Sequence, residues 1–356
     1  MTKTVAGNFF EDFAVGQELV HATPRTITEG DVSLYTALYG GRFAVHSSIP
    51  FAQSLGFRSA PVDPMLVFHI VFGKTVADVS LNAIANLGYA SGRFGVSVHV
   101  GDTVSTVSQV IGVKQNRDAQ TGVVYVHSVG RNQYGEMVLD YVRWVMVRKR
   151  DPASPAPDVV VPSLPECVAP SALTAPAELT TARYDIALAG SPHLWDDYLV
   201  GEQIDHVDAM TIEESDHMMA ARLFQNSARV HFNQHVEREG RFGRRIVYGG
   251  HIISLARTLS FNGLANVIGM AAIHGGRHVA PAFAGDTIYA WSEVLALDPV
   301  PGRTDVGAIR LRTVALKDCS AGKFPLRVAD GGYDPAVVLD FDYSVLMPRR
   351  GGASSS

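Results

Sequence analysis

Apolar and polar residues in the first half of the chain alternate with a helical period in two places and a strand-like pattern in three. A short helix is predicted after Thr28, because Glu29 and Asp31 place carboxylates where the first helical turn has free N–H groups. A longer helical segment is predicted near 64–80. Runs rich in Val, Thr and Tyr predict strands near 97–114, 122–133 and 138–149. One long helix and a series of antiparallel strands predict an α+β unit whose helix covers one face of the sheet.

The second half of the chain repeats this pattern. Residues 10–19, FEDFAVGQEL, match residues 195–204, WDDYLVGEQI, and the register continues without a gap as far as His46 and His231. A second long helical segment is predicted near 250–266. A chance match would not keep register over so long a stretch, so the sequence indicates a duplicated domain.

The segment between the two copies is rich in Pro, Ala and Ser and has no amphipathic period. Such a composition is typical of an extended linker. We therefore predict a first unit at 1–150, a linker at 151–190 and a second unit at 191–350. Two α+β units of this kind can pair their sheets edge to edge, which protects strand edges from aggregation.

Composition narrows the classes of function. The chain is 47% hydrophobic and 18% charged, with a net charge of −5, so nothing favours nucleic acid as a partner. The sequence has no run of about 18 apolar residues, which a membrane-spanning helix would require. Cys167 and Cys319 are too few for a disulfide framework. The N-terminal residues lack the features of a signal peptide, and together these observations predict a cytoplasmic protein.

Several motifs occur in both halves. They are Thr-Ile-Thr-Glu-x-Asp or a close variant before a helix, a loop ending in His, and Gly-Asp-Thr opening a strand. With these motifs the chain resembles the MaoC-like hydratases and dehydratases, which implies a double hotdog fold. Longer segments, 61–94 and 248–266 among them, are similar to the family members that act on mesaconyl-CoA.

The resemblance implies a reversible hydration of mesaconyl-CoA to β-methylmalyl-CoA, as in the ethylmalonyl-CoA route. It implies a coenzyme A thioester as substrate, no cofactor and no metal. Glycine-rich nucleotide-binding motifs and clusters with zinc-ligand spacing are absent from the sequence as well. Paired hotdog units commonly associate, so a homodimer is expected.

The acid–base pair of this family is an Asp placed five positions before a His. Here Gly41 precedes His46 in the first copy, and Asn226 precedes His231 in the second. Because Gly41 carries no functional group, we expect catalysis in the second copy, with His231 as the acid–base group and Asn226 positioning the water. A carboxylate at 226 would repel the free carboxylate of mesaconyl-CoA in a dry pocket, and an amide avoids that repulsion.

The thioester oxygen requires a hydrogen-bond donor. In the family this is the backbone N–H of a glycine at the start of the long helix, and the matching residues are Gly249 and Gly250. The first copy has Pro64 there, which carries no N–H. Tyr248 and His251 flank the glycine pair and are further candidates for substrate contact.

The free carboxylate of the substrate calls for a cation, and an Arg can bind it through two hydrogen bonds. The candidates from the similar segments are Arg229 and Arg257.

Three other functions remain open: the Asp missing from both copies favours the non-catalytic protein among them and argues against the (R)-specific hydratase. The chain could be an (R)-specific enoyl-CoA hydratase of broader range or a non-catalytic acyl-CoA binding protein. It could also be a thioesterase, which would need a carboxylate near the long helix, such as Asp63.

Overall fold

The computed structural model describes residues 3–351, and its ten strands form one antiparallel sheet. The strands are β1 (Glu18–Thr26), β2 (Ala83–Phe94), β3 (Thr103–Gln115), β4 (Thr121–Arg131), β5 (Met137–Arg148), β6 (Gln203–Thr211), β7 (Gly269–His278), β8 (Thr287–Pro299), β9 (Val306–Lys317) and β10 (Val337–Pro348). Their order in the sheet is β1-β3-β4-β5-β2-β7-β10-β9-β8-β6. The first five strands therefore form one half of the sheet, and β1 and β6 lie at its outer edges.

The helices lie in the connections between strands. They are α1 (Glu29–Tyr39), α2 (Ala44–Ser47), α3 (Ile49–Ser54), α4 (Pro64–Thr75), α5 (Ile186–Ala189), α6 (Glu214–Leu223), α7 (Gln234–Glu237), α8 (Gly249–Leu259) and α9 (Phe261–Leu264). A π-helical turn, Val76–Ser80, extends α4. The two long helices predicted from the sequence are confirmed as α4 and α8. Within residues 3–351 no helix combines the length and the apolar character needed to cross a bilayer.

The two halves of the sheet meet where β2 pairs with β7. Tyr89 pairs with Gly276 and Arg93 pairs with Ala272, so the backbone ladder continues across the junction. Helix α4 packs on β3 and β5, and α8 packs on β8 and β9. The prediction of an α+β fold, with two helix-on-sheet units joined edge to edge, is confirmed.

The sequence pattern missed the strands that make this junction. β2 has the sequence AIANLGYASGRF and β7 has GMAAIHGGRH, and both are rich in residues with low strand propensity. Each is nevertheless paired on both sides, β2 with β5 and β7, and β7 with β2 and β10. Pairing on both sides therefore overrides the local preference. The edge strands β1 and β6 were missed as well, and β1 contains Pro24, which an edge strand tolerates.

The two units share one hydrophobic core. Every residue of α4 from Met65 to Thr75 is buried, and so is most of α8. Phe68 and Val71 of α4 lie in the same buried cluster as Ile253 of α8. Separation of the units would expose this cluster to water, so the units depend on each other for stability.

A buried hydrogen-bond network occurs once in each unit. In the second unit His206 Nε2 lies 2.8 Å from Ser292 Oγ, which lies 2.7 Å from Thr313 Oγ1. The first unit repeats these contacts at 2.8 and 2.7 Å in His21, Ser108 and Ser128. The sequence duplication is therefore preserved in individual side-chain contacts.

Residues 151–190 connect the two units. Val160 forms an isolated bridge with Val113 of β3. Leu173 and Tyr184 lie in a buried cluster that also contains residues of α3 and β7. The segment thus packs against both units, and the bounds of 1–150, 151–190 and 191–350 remain predictions.

Burial of several core histidines predicts acid destabilisation. Burial lowers the pKa of His206 and of His274 to about 4, and that of His251 to about 3. The unfolded chain therefore binds more protons than the folded one as the pH falls below about 6.5, the ordinary histidine value. Each imidazole then removes up to roughly 3 kcal/mol of a total stability of about 5–15 kcal/mol. We expect urea unfolding midpoints that are level above pH 6.5 and fall steeply towards pH 4; equal midpoints at pH 5 and pH 8 would contradict this.

Candidate active site

A cavity of about 820 Å³ lies between the two units. The first unit contributes the end of α4, the start of β2 and part of β5. The second contributes the loop before α7, the start of α8 and the end of β7. Of the predicted site residues, the cavity wall contains Asn226, Arg229, His231, Tyr248 and Gly249.

His231 lies in the 3-10 turn Arg229–His231, beside the ring of Tyr248 at 5.5 Å between ring centroids. Its Nδ1 is 3.1 Å from the carbonyl oxygen of Ile246. A carbonyl oxygen only accepts, so Nδ1 donates and the lone pair lies on Nε2. Burial lowers the pKa of His231 to about 4, which keeps the ring neutral at physiological pH. His231 can therefore accept a proton at Nε2.

Asn226 is buried, and its Oδ1 accepts a hydrogen bond of 3.1 Å from the backbone N–H of Ala228. This bond leaves the Nδ2 group for contact with a ligand. The amide can then donate to the oxygen of a water or a substrate, and it cannot take a proton.

The start of α8 presents backbone N–H groups to the cavity. Tyr248 is the N-cap residue and makes no side-chain capping hydrogen bond, and its carbonyl oxygen accepts from the N–H of His251 at 2.8 Å. The N–H of Gly249, which lies in the cavity wall, is therefore not capped by a side chain. A Cβ on Gly249 would lie 2.4 Å from Cε1 of His278. Only glycine therefore allows this imidazole to pack against the helix start.

Three of the predicted site residues do not line this cavity. A Cβ on Gly250 would meet the rings of Tyr248 and His69, so its free space faces the core. His251 is buried, and its Nδ1 lies 2.9 Å from the hydroxyl of Tyr39. Arg257 is buried as well. Successive helix positions turn by about 100° around the axis, which carries Gly250 and His251 away from the face of Gly249.

The guanidinium of Arg257 lies 3.6 Å from the ring centroid of Phe43, and its Nη1 donates to Ser260 Oγ at 3.2 Å. We therefore no longer assign Arg257 to the substrate carboxylate. Arg229 is exposed and forms part of the cavity wall. Its role in binding substrate remains a prediction.

The structure adds residues that the sequence did not single out. His278 and Tyr89 line the cavity, and Tyr89 Oη lies 3.2 Å from His278 Nε2. Burial, together with a smaller effect of the neighbouring His231, lowers the pKa of His278 to about 4. Asn86 and Arg143 also form part of the wall. His278 lies on β7 of the second unit, whereas Asn86, Tyr89 and Arg143 lie on strands of the first unit and reach the site of His231 because the two units pair.

The equivalent place in the first unit is a remnant of this site. His46 Nδ1 lies 3.0 Å from the carbonyl oxygen of Pro61, as His231 Nδ1 does from that of Ile246. The adjoining space is only about 60 Å³ and is lined by Pro64 and Phe94, which stand where the second unit has Gly249 and His278. The histidine is retained, whereas the helix donor and the second imidazole are lost.

No group of three or more His, Cys, Asp and Glu side chains within residues 3–351 is placed to hold a metal ion. Two helix-on-sheet units around one cavity define a double hotdog protein. The MaoC-like domain family matches residues 11–131.

Comparison with known proteins gives close relatives over the whole chain. A β-methylmalyl-CoA dehydratase of Chloroflexus aurantiacus is 71% identical, over 98% of this chain and 99% of the relative. A mesaconyl-CoA hydratase of Cereibacter sphaeroides is 55% identical, over 98% of this chain and 100% of the relative. The chain therefore belongs to the MaoC-like hydratase and dehydratase family.

Solved structures agree. A MaoC domain protein dehydratase from Chloroflexus aurantiacus superimposes with a TM-score of 0.96 at 70% identity, over 99% of this chain and 100% of that chain. A Mycobacterium tuberculosis protein described as a double hotdog fold gives a TM-score of 0.77 at 26% identity, over 97% of this chain and 99% of that chain.

Replacement of His231 tests the proton acceptor. We expect His231→Gln to lower hydration turnover at least about 100-fold, because the amide cannot take a proton from water. His46→Gln is the matched control, since His46 makes the same carbonyl contact in the remnant site, and it should leave turnover unchanged. Circular dichroism should show both variants folded. Equal activity of the two variants would remove His231 from this role.

Replacement of Gly249 tests the helix start. We expect Gly249→Ala to lower kcat/KM at least about 10-fold, because the new methyl group displaces His278 and blocks approach to the backbone N–H. Gly269→Ala is the control, since a Cβ at that position has no heavy atom within 4 Å. Wild-type kinetics in Gly249→Ala would show that substrate does not approach this glycine.

Proposed function

We propose that this protein is a hydro-lyase that reversibly adds water to mesaconyl-CoA and forms β-methylmalyl-CoA. The observation that carries the proposal is the cavity in which His231 and the open start of α8 at Gly249 lie together. The 71% identity with a β-methylmalyl-CoA dehydratase gives the substrate.

The hydration follows from the chemistry of the cavity walls. His231 Nε2 takes one proton from water as the water oxygen bonds to Cβ. The electrons of the Cα–Cβ double bond move to the thioester oxygen, which becomes an enolate and accepts a hydrogen bond from the N–H at the start of α8. The enolate then collapses as Cα takes the proton back from His231. Dehydration runs these steps in reverse.

Asn226 has the place that the acid–base Asp has in the family pattern. Because its Oδ1 is held by Ala228, its Nδ2 can donate to the attacking water and fix its lone pair towards Cβ. A neutral amide also leaves room for the carboxylate that mesaconyl-CoA carries on Cβ, where a second anion would be repelled.

The rest of the cavity suits a coenzyme A thioester. Arg148, Arg229 and Arg241 are exposed residues of its wall, and none has an ion-pair partner within residues 3–351. These cations can bind the phosphates of coenzyme A. Asn86 has neither side-chain amide atom hydrogen-bonded, and it can bind an amide of the pantetheine arm.

The carboxylate considered for a thioesterase, that of Asp63, already makes a capping hydrogen bond at a helix start. Asp63 is the N-cap of α4, and its Oδ1 accepts from the backbone N–H of Met65 at 2.8 Å. It does not line the cavity between the units. The non-catalytic alternative does not explain why the second unit keeps both His231 and Gly249. A broader (R)-specific enoyl-CoA hydratase is the remaining alternative, and an assay with mesaconyl-CoA and crotonyl-CoA distinguishes it from a mesaconyl-CoA hydratase.

Three finer points are part of the proposal. Cys167 and Cys319 are both free cysteines, which suits a reducing cytoplasm. Association as a homodimer is expected for paired units of this kind. The reaction would serve the ethylmalonyl-CoA route.

Assay of the purified protein with three thioesters tests the function. We expect loss of the conjugated ultraviolet absorbance with mesaconyl-CoA, a kcat/KM at least about 100-fold lower with crotonyl-CoA, and no free thiol from acetyl-CoA. Release of thiol would instead indicate a thioesterase. Comparable rates with mesaconyl-CoA and crotonyl-CoA would indicate the broader hydratase.

A further inference from the structure

Arg143 is a buried cation in the wall of the active-site cavity. It lies on β5, and none of its surface is exposed. Its Nη2 donates to Thr75 Oγ1 at 2.7 Å and to Ser80 Oγ at 3.2 Å. Its Nε and Nη1 are buried and have no hydrogen-bond partner in the described structure. Two donors of this guanidinium are therefore unsatisfied.

No carboxylate within residues 3–351 forms an ion pair with Arg143. Its guanidinium lies 4.2 Å from the ring centroid of Phe72, and the titratable groups around it are the hydroxyls of Tyr89, Tyr141 and Tyr248, which are neutral because burial raises their pKa. Burial of a charge without a counter-ion costs several kcal/mol, so a side chain in this state needs an explanation. An anionic ligand in the cavity would supply the missing partner.

Arg143 lies beside the groups that would handle the reacting carbons. In the ladder between β2 and β5 it pairs with Tyr89, whose hydroxyl contacts His278. The charge of Arg143 also acts on Tyr248, the residue that caps α8 and packs against His231. The first unit thus places a cation at the site where the second unit places the base.

The remnant site of the first unit lacks this cation. In that half of the sheet Tyr343 and Ile273 form the pair that corresponds to Arg143 and Tyr89. The Tyr343 hydroxyl is already bonded to Thr313 Oγ1 at 3.0 Å. At this pair of equivalent positions an Arg therefore occurs only on the side of the cavity with Gly249, His231 and His278.

We propose that Arg143 binds the free carboxylate of the substrate and so determines specificity for an acyl chain with a terminal carboxylate. The proposal rests on the proposed function, because it assigns a role within the same cavity. Nε and Nη1 are the donor atoms without a partner. They lie on different edges of the planar guanidinium, so a carboxylate accepts from one of them, and the side chains that cover Arg143 must shift to admit it. Arg143 replaces Arg229 and Arg257 in this role.

Binding of two unreactive thioesters tests the assignment without relying on catalysis. Succinyl-CoA and butyryl-CoA have acyl chains of equal length and differ in a terminal carboxylate against a methyl group. By calorimetry we expect the wild-type protein to prefer succinyl-CoA. Arg143→Met should weaken the binding of succinyl-CoA at least about 30-fold and leave the binding of butyryl-CoA nearly unchanged. This is the result expected when one partner of a buried charge pair is removed.

Arg148→Met is the matched control, since Arg148 lies on the same strand and in the same cavity wall. It should affect both thioesters equally and keep their ratio. Arg143→Tyr is a second variant, to be used if Arg143→Met does not fold. It introduces the residue type found at the corresponding position of the second unit, Tyr343. It too should abolish the preference for succinyl-CoA.

The assignment would be overturned if the folded Arg143 variants lost affinity for both thioesters equally, or if their affinity for succinyl-CoA were unchanged. A wild-type protein that binds succinyl-CoA through Arg143 but does not hydrate mesaconyl-CoA would refute the proposed function and leave the carboxylate site standing. The two ideas can therefore fail separately.

Discussion

The pairing of β2 with β7 is the interaction on which the rest of the structure depends. It joins two half-sheets into one and places α4 and α8 in a common core. It also sets the wall of the first unit against the loops and the helix start of the second. Neither unit alone contains the cavity, because the cation and one tyrosine come from β5 and β2 while the imidazoles come from the other half.

Electrostatics in this cavity depend on exclusion of water. Burial keeps His231 and His278 neutral, so the base is ready to take a proton and does not attract the substrate carboxylate. The same burial leaves Arg143 without solvent to stabilise its charge. A pocket with a buried cation that lacks an ion-pair partner, Arg143, and two neutral imidazoles is matched to an anionic substrate that reacts with water.

Much of the fold followed from the sequence because duplication doubles each pattern. The long helices and the strands β3, β4 and β5 were predicted from local patterns, and His231 and Gly249 were predicted from motifs that resemble the family. Arg143 and His278 were not, because each looks like an ordinary strand residue in the sequence and only the folded sheet brings it to the cavity. Gly250 and His251 were assigned to the site by adjacency, whereas the rotation of the helix turns them into the core.

The remnant beside His46 shows what fusion of the two units makes possible. In a symmetric dimer of single units, every cation and every imidazole would occur twice. A substitution in one wall of the first pocket would also appear in the opposite wall of the second pocket. In a fused chain each half can accumulate substitutions independently of the other half. One half has become a scaffold that carries an anion receptor, and the other has kept the proton chemistry, so that one polypeptide has a single asymmetric reaction chamber.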